Sequence, residues 1–392
     1  MKTLLLIALF FSSSLFGVTL SELIDSSLSK SPSLEAINAR IEANKHSIEV
    51  AGSFSNPELL LTTNTLESSE AMSQTVLTLK QKIPYYGKRD TKESVIVAED
   101  ALLKEQLKAA KVKLVALIKE EAYGLWELQE LRKVVDAYIA LTVQNIELYE
   151  SYTSMSDNQH MGMMRAELSL LDLAIEKSSL NAKIAQAYAR LSYLSASDVN
   201  DLEIALSIGK KPEFSKLQQD KQSNPQLLIK AQELKREQAK VELADVNNYP
   251  DFTLLAGYAY RENFDDYFNL GIGITLPIYG TEDAQEQEAK AHLLEVQSSI
   301  SDTKLSVDAN VNVYYLQMQS SYEIYHIVQD SALPQVEHMF ELSSSSISTG
   351  SDLFKYIDVL FQKLSLEKKS IQAVVNYNKA EAKIAQLSGA LK

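Results

Sequence analysis

A mainly helical fold with a small β part, built from one unit used twice, is what these 392 residues predict. Three observations carry that reading. Prolines punctuate both halves of the chain at a common offset, since Pro32 and Pro225, Pro57 and Pro250, and Pro84 and Pro277 each stand 193 residues apart. Short segments after the second proline of each half alternate apolar and polar residues, the period of a strand. Long proline-free stretches follow, with apolar residues at steps of three and four. Tyr86-Gly87 falls on Tyr279-Gly280, and Leu194-Ser195 on Leu387-Ser388, at the same offset.

Taken in order, residues 1–17 read as a secretory signal peptide: Met1-Lys2, an apolar run from Thr3 to Phe11, a serine cluster, and a cleavage site near Gly17. Residues 18–197 form the first repeat, 198–222 a linker, and 223–392 the second repeat. Ser31-Pro32 and Asn224-Pro225 supply N-cap and N1 signals, because the cap side chain accepts from free N–H groups while proline needs no donor there. The helices that follow should end near Asn56-Pro57 and Tyr249-Pro250, where the residue before proline is driven out of the α region.

Strands come next. In Phe252, Leu254, Ala256, Tyr258 and Tyr260, and again in Phe268, Leu270, Ile272, Ile274 and Leu276, apolar residues occupy every second position. Leu59 to Thr65 and Thr75 to Ile83 repeat this more weakly around a polar turn at Glu67 to Ala71. From Lys88 to about Ser154 a stripe through Leu103, Leu107, Leu114, Leu125 and Val135 predicts a helix of some 65 residues. That is about 100 Å at 1.5 Å per residue, a coiled-coil rod and not a globular helix. A break at Ser154 to Gln159 and a second helix to about Ser197 complete a hairpin; the second half repeats it with a break at Ser343 to Asp352 and a kink at Pro334. Trp126 is expected in the core, and Tyr314, Tyr315, Tyr322 and Tyr325 between rods.

Composition narrows the function. The formal charge of −14 is spread along the chain, and no Lys/Arg-rich patch interleaved with aromatics points to nucleic acid. There is no cysteine, which excludes disulfides, thiolate metal sites and a lipid-bearing cysteine. No phosphate loop, HExxH spacing or histidine cluster supports an enzyme or a cofactor. Two strands bounded by helices leave open edges, and four are too few to close a barrel. An exported chain with alternating strands of about ten residues therefore reads as part of an outer-membrane barrel assembled from several copies, with the helical hairpins forming a second tube. The abundant Tyr85, Tyr86, Tyr258, Tyr260 and Tyr279 fit an interfacial belt at the lipid boundary.

The stretches KQKIPYYGKR and GITLPIYG, where a strand turns into the long helix, and STGSDLFKYIDVL at the second tip, together with the duplicated order, resemble the TolC-like outer-membrane efflux proteins over the whole mature chain. The last stretch looks most like the heavy-metal efflux branch. The resemblance implies a homotrimer with a twelve-stranded transmembrane β-barrel, four strands per protomer, and a long periplasmic α-barrel. It implies a periplasmic adaptor (membrane fusion) protein and an inner-membrane pump, of the RND or ABC kind, as partners. The role implied is a passive outer-membrane conduit of a tripartite efflux system, with heavy-metal cations as one cargo class. A type I secretion exit duct, and a soluble periplasmic coiled-coil adaptor or structural rod, are the rival readings.

Polar residues at the hairpin tips are the candidates for a periplasmic gate and adaptor contact: Asp157, Gln159 and Arg165 in the first hairpin, Thr349, Gly350, Ser351 and Asp352 in the second. Beside the first tip, His160, Met161, Met163 and Met164, with Met155, gather imidazole and thioether groups of the kind that suit Cu(I) or Ag(I). The same methionines also serve as flexible packing.

Overall fold

The structure, a computed structural model, describes residues 18–65, 72–150, 157–215, 223–347 and 353–391. The expected signal peptide and the Glu67 to Ala71 turn lie outside the described residues. A short helix not anticipated from the sequence comes first. Helix α1 (Leu20–Lys30) opens on a capping box, with the Glu22 N–H donating to the Thr19 hydroxyl at 3.3 Å and the Thr19 N–H to the Glu22 carboxylate at 3.0 Å. Before it, β1 (Val18–Thr19) pairs in parallel with β4 (Leu202–Glu203), so the start of the chain is tied to the segment between the repeats.

Helix α2 (Pro32–Gly52), β2 (Glu58–Thr63), β3 (Gln74–Ile83), α3 (Lys88–Glu150) and α4 (Asp157–Ser195) make the first half. The second half answers with α5 (Pro225–Asn247), β5 (Phe252–Arg261), β6 (Tyr267–Ile274), α6 (Thr281–Ile327), a five-residue π-turn (Val328–Ala332), α7 (Leu333–Ile347) and α8 (Leu353–Leu387). At 63 residues α3 is about 95 Å long. The distortion expected at Pro334 is the π-turn: the Leu333 N–H reaches back five residues to the Val328 carbonyl, a register that absorbs the donor proline lacks.

The two prolines at N1 are not capped alike. Asn224, 1% exposed, accepts from the Gln226 and Leu227 N–H groups at 2.9 and 3.1 Å and donates to the Leu387 carbonyl at 2.8 Å. Ser31 makes no cap bond; its hydroxyl is engaged with that of Ser33 at 2.9 Å. The sequence reading of Ser31 as a side-chain cap is thus corrected, because a serine hydroxyl two residues away competes for it.

Side by side below the sheet run α2, α3, α5 and α6, each packed on the next. Arg236 on α5 clasps α3 through Glu99 at 2.9 Å while also holding Glu237 at 2.8 Å. Farther down, α4 and α8 pack against α3 to form paired rods. One core cluster joins Leu23, Leu125, Leu191 and Leu202; another joins Val135, Leu173, Tyr356 and Leu360. The described part of the linker, to residue 215, is packed: Ile208 lies on the cluster of Met318, Tyr377, Ala380 and Ile384, and the Tyr377 hydroxyl donates to the Lys210 carbonyl at 2.6 Å. Tyr314 and Tyr322 join that cluster, whereas Trp126, expected in the core, is only half-buried.

The repeat extends to backbone conformation. Gly87 and Gly280, 193 residues apart, both sit at positive φ (89° and 71°) where strand turns into long helix. Ala196 and Gly389, another pair at that offset, are left-handed at φ 49° and 75°. A Cβ on Gly389 would stand 2.7 Å from the Ser223 carbonyl oxygen, so that position admits only glycine, while Ala196 is exposed and bears the strain. Ala196→Gly should stabilise the protein by about 1 kcal/mol, the left-handed penalty less the added freedom of the unfolded chain. The urea midpoint of the purified variant checks this; an unchanged or lower midpoint would show that Ala196 carries no strain.

Candidate functional site

The four long strands form one antiparallel sheet in the order β2-β3-β5-β6. Its register sorts side chains into two unlike faces. Leu61, Leu77, Tyr258 and Phe268 lie in one row, Leu59, Leu79, Ala256 and Leu270 in the next, and Ile83, Phe252 and Ile274 in the last. On the single chain these rows are exposed, Leu270 to 87% and Phe268 to 82%. The opposite face is mixed and more polar: Leu60 and Thr78 with Gly257 and Asn269, then Glu58 and Lys80 with Leu255 and Gly271, then Lys82 with Thr253 and Gly273. An apolar face this large on a folded chain marks a surface that water does not see.

Ten residues of β5 span about 34 Å along the strand and about 24 Å across a membrane when tilted by ~45°. That matches the apolar band of an outer-membrane barrel, about 25 Å tall. Exposed aromatics stand at both ends of the band: Tyr260 and Phe264 at the hairpin end, Tyr86 and Tyr279 at the helix end. Among the described residues the outer strands β2 and β6 have no further partner, so each offers an open row of backbone donors and acceptors.

Below the sheet, one carboxylate locks the two repeats together. Asp251 accepts from the Tyr85 N–H at 3.1 Å and pairs with Lys88 at 2.9 Å and Lys82 at 3.3 Å; the Lys88 ammonium also donates to the Tyr249 carbonyl at 2.6 Å. Tyr85 stacks on Tyr249 with centroids 4.6 Å apart. Burial pushes the Asp251 carboxyl up, but the Lys88, Tyr85 and Lys82 bonds outweigh it and hold the group below the usual carboxylate range. Its contribution is therefore complete above the unfolded value of about 3.9 and is lost as pH falls through the lower folded value. Asp251→Asn should lower the thermal midpoint at pH 7, and the gap to the parent should close in acid. A gap independent of pH would exclude the charge as the cause. Sequence reasoning missed this network, although Lys82, Tyr85 and Lys88 all stand within the KQKIPYYGKR stretch.

At the far end of the rods, Asp157 opens α4, Gln159 follows in its first turn, and Arg165 lies 4.0 Å from Asp358 on α8, which brings the first tip against the second hairpin. Thr349, Gly350, Ser351 and Asp352 lie outside the described residues. Of the soft ligands, His160, Met161 and Met164 are exposed, whereas Met163 is partly buried against the core cluster that holds Leu131 and Tyr356. Among the described residues no cluster of three or more His, Asp or Glu could hold a metal ion. Met161 and Met164 continue into Leu168, Leu171 and Ile175, all at least half exposed, at the alternating steps of three and four that make a coiled-coil seam.

Residues 217–391 match the family described as outer membrane efflux protein. Among solved structures, the open-state MtrE outer membrane channel of Neisseria gonorrhoeae is similar over 95% of this chain and 89% of its own, with a TM-score of 0.79 and 15% identity. The outer membrane protein VceC of Vibrio cholerae is similar over 95% and 97%, with 0.79 and 17%. CusC, described as forming a transmembrane channel, is similar over 95% and 92%, with 0.75 and 12%. No curated protein sequence matches the chain.

Proposed function

From its place in the TolC-like outer membrane efflux family, carried by residues 217–391 and matched by the fold of 95% of the chain, we propose that this protein is one of three identical subunits of a conduit. The family's members are outer-membrane efflux channels and not enzymes. The observation that carries the trimer is the sheet: four strands with an apolar outer face and two open edges, which three copies would close at twelve strands. The polar face then lines water, and the row α2, α3, α5 and α6 continues the wall into the periplasm as a helical tube. The exposed seam of Met161, Met164, Leu168, Leu171 and Ile175 is where the rod of a neighbouring copy would pack.

In this reading the protein moves solute without chemistry, and energy comes from partners: a periplasmic adaptor meeting the hairpin tips and an inner-membrane pump behind it. Asp157, Gln159 and Arg165, with 349–352 of the second tip, form the constriction that such partners would dilate. Reconstituted in a planar bilayer, the purified protein should give stepwise conductance; a silent bilayer would contradict the conduit.

Metal cations are a second reading of the cargo, favoured by the joint exposure of His160, Met161 and Met164. Replacing His160 by Gln and both methionines by Leu keeps the seam apolar and removes the soft ligands. Copper or silver tolerance should then fall with trimer yield unchanged; full tolerance would remove metal from this site.

A further inference from the structure

A cavity of about 900 Å3 lies at the foot of the sheet, between the end of α2, the start of α3 and the end of α5. Its walls include Lys82, Lys88, Arg89 and Lys92, with the apolar Phe54 and Leu243, against one carboxylate, Glu49. Such a concentration of cations is unexpected in a chain of formal charge −14. Lys82 alternates with Ile83 and Gln81 along β3, so the cavity shares the polar face of the sheet, the side that faces the axis in a closed barrel.

Lys88 is taken up by Asp251 and is nearly buried, Lys82 shares that carboxylate at the surface, and Arg89 and Lys92 are the two cations left available. Lys82 is half exposed, 3.3 Å from the same carboxylate. Arg89 donates to the Gly52 carbonyl at 3.1 Å and lies 3.8 Å over the Phe54 ring; Lys92 is exposed. Among the described residues neither Arg89 nor Lys92 has a carboxylate within ion-pair distance. Both also sit in the opening turns of α3, where the helix dipole is positive and repels them. The repeat sharpens the point, since the positions that answer Lys88, Arg89 and Lys92 are Thr281, Glu282 and Gln285. Here the first half departs from the second toward positive charge in a place where folding alone disfavours it.

We propose that this cavity is a lumenal site for an organic anion, a carboxylate, sulfonate or phosphate carried on an apolar body. The anionic group would bridge Arg89 and Lys92 with Lys82 beside it, and the apolar body would rest on Phe54 and Leu243. The proposal rests on the conduit reading, which makes the polar face a water-filled lumen. Three copies place a cationic collar at the junction of barrel and tube, where an anionic group is favoured.

The test uses the reconstituted full-length protein and naphthalene-2-sulfonate as probe. The sulfonate should block conductance, the Arg89→Gln/Lys92→Gln variant should raise the half-blocking concentration at least tenfold, and naphthyltrimethylammonium should not block. Because Arg89 also touches Gly52, Lys92→Gln alone is the safer variant; it should raise the half-blocking concentration severalfold and leave the open conductance in place. Equal block in parent and variants, equal block by the cation, or conductance that the sulfonate leaves unaltered would overturn the site and leave the channel standing. Absence of any conductance steps would overturn the channel reading, and the site with it.

Discussion

Leu270→Arg is expected to remove the protein from the outer membrane. Leu270 lies mid-strand on β6, in the row with Leu59, Leu79 and Ala256, and is 87% exposed on the single chain. An arginine facing lipid near the midplane of a barrel costs about 2 to 4 kcal/mol per copy, so three copies bring about 6 to 12 kcal/mol per assembly. That rivals the whole stability of an ordinary domain. The neighbouring residue supplies the control, since Asn269 pairs with Gly257 on the polar face and Asn269→Arg should insert normally. Fractionation of the two variants checks the pair. Equal recovery of both from the outer membrane would mean that the apolar rows do not face lipid.

Asn224→Ala should carry the largest effect within the helical part. The side chain is buried, caps two N–H groups of α5 and holds the Leu387 carbonyl at the end of α8, so its loss removes a cap and takes the donor from a partly buried carbonyl. The cap is worth about 1 kcal/mol and the orphaned acceptor about 1 to 3 kcal/mol. A total near 3 kcal/mol is expected in denaturant unfolding. Ser31→Ala, at the matching position of the first repeat, removes only the bond to the Ser33 hydroxyl and should cost about 1 kcal/mol or less. Comparable losses at both sites would show that the cap geometry does not decide stability here.

How far the fold could be read beforehand depended on how local the cause was. Proline and glycine impose backbone constraints by themselves, so the paired prolines and the Tyr-Gly turns located the strands and the starts of the long helices to within a few residues. Period-two alternation identified the outward face of β5 and β6 for the same reason. Capping was legible only in part: Asn224 behaves as its residue type suggests, Ser31 is captured by Ser33, and the Thr19 to Glu22 box of α1 was present in the sequence but unread. Contacts across long separations left no local trace. Asp251 meets Lys88 163 residues away, and nothing in the pattern around either announces it. The packing of Ile208 and Lys210 against α8 likewise turned an apparent linker into a strap. At the first tip helical phase held more than was taken from it. The spacing of Met161, Met164, Leu168, Leu171 and Ile175 already separates an outward seam from Met163, which is partly buried against the core.

All of this depends on the sheet finding its missing strands in copies of itself. Electron microscopy and mass measurement of the detergent-purified mature protein address that directly. Threefold hollow cylinders with three chains per particle are the expected result. A monodisperse monomer, stable in water without detergent, would contradict it.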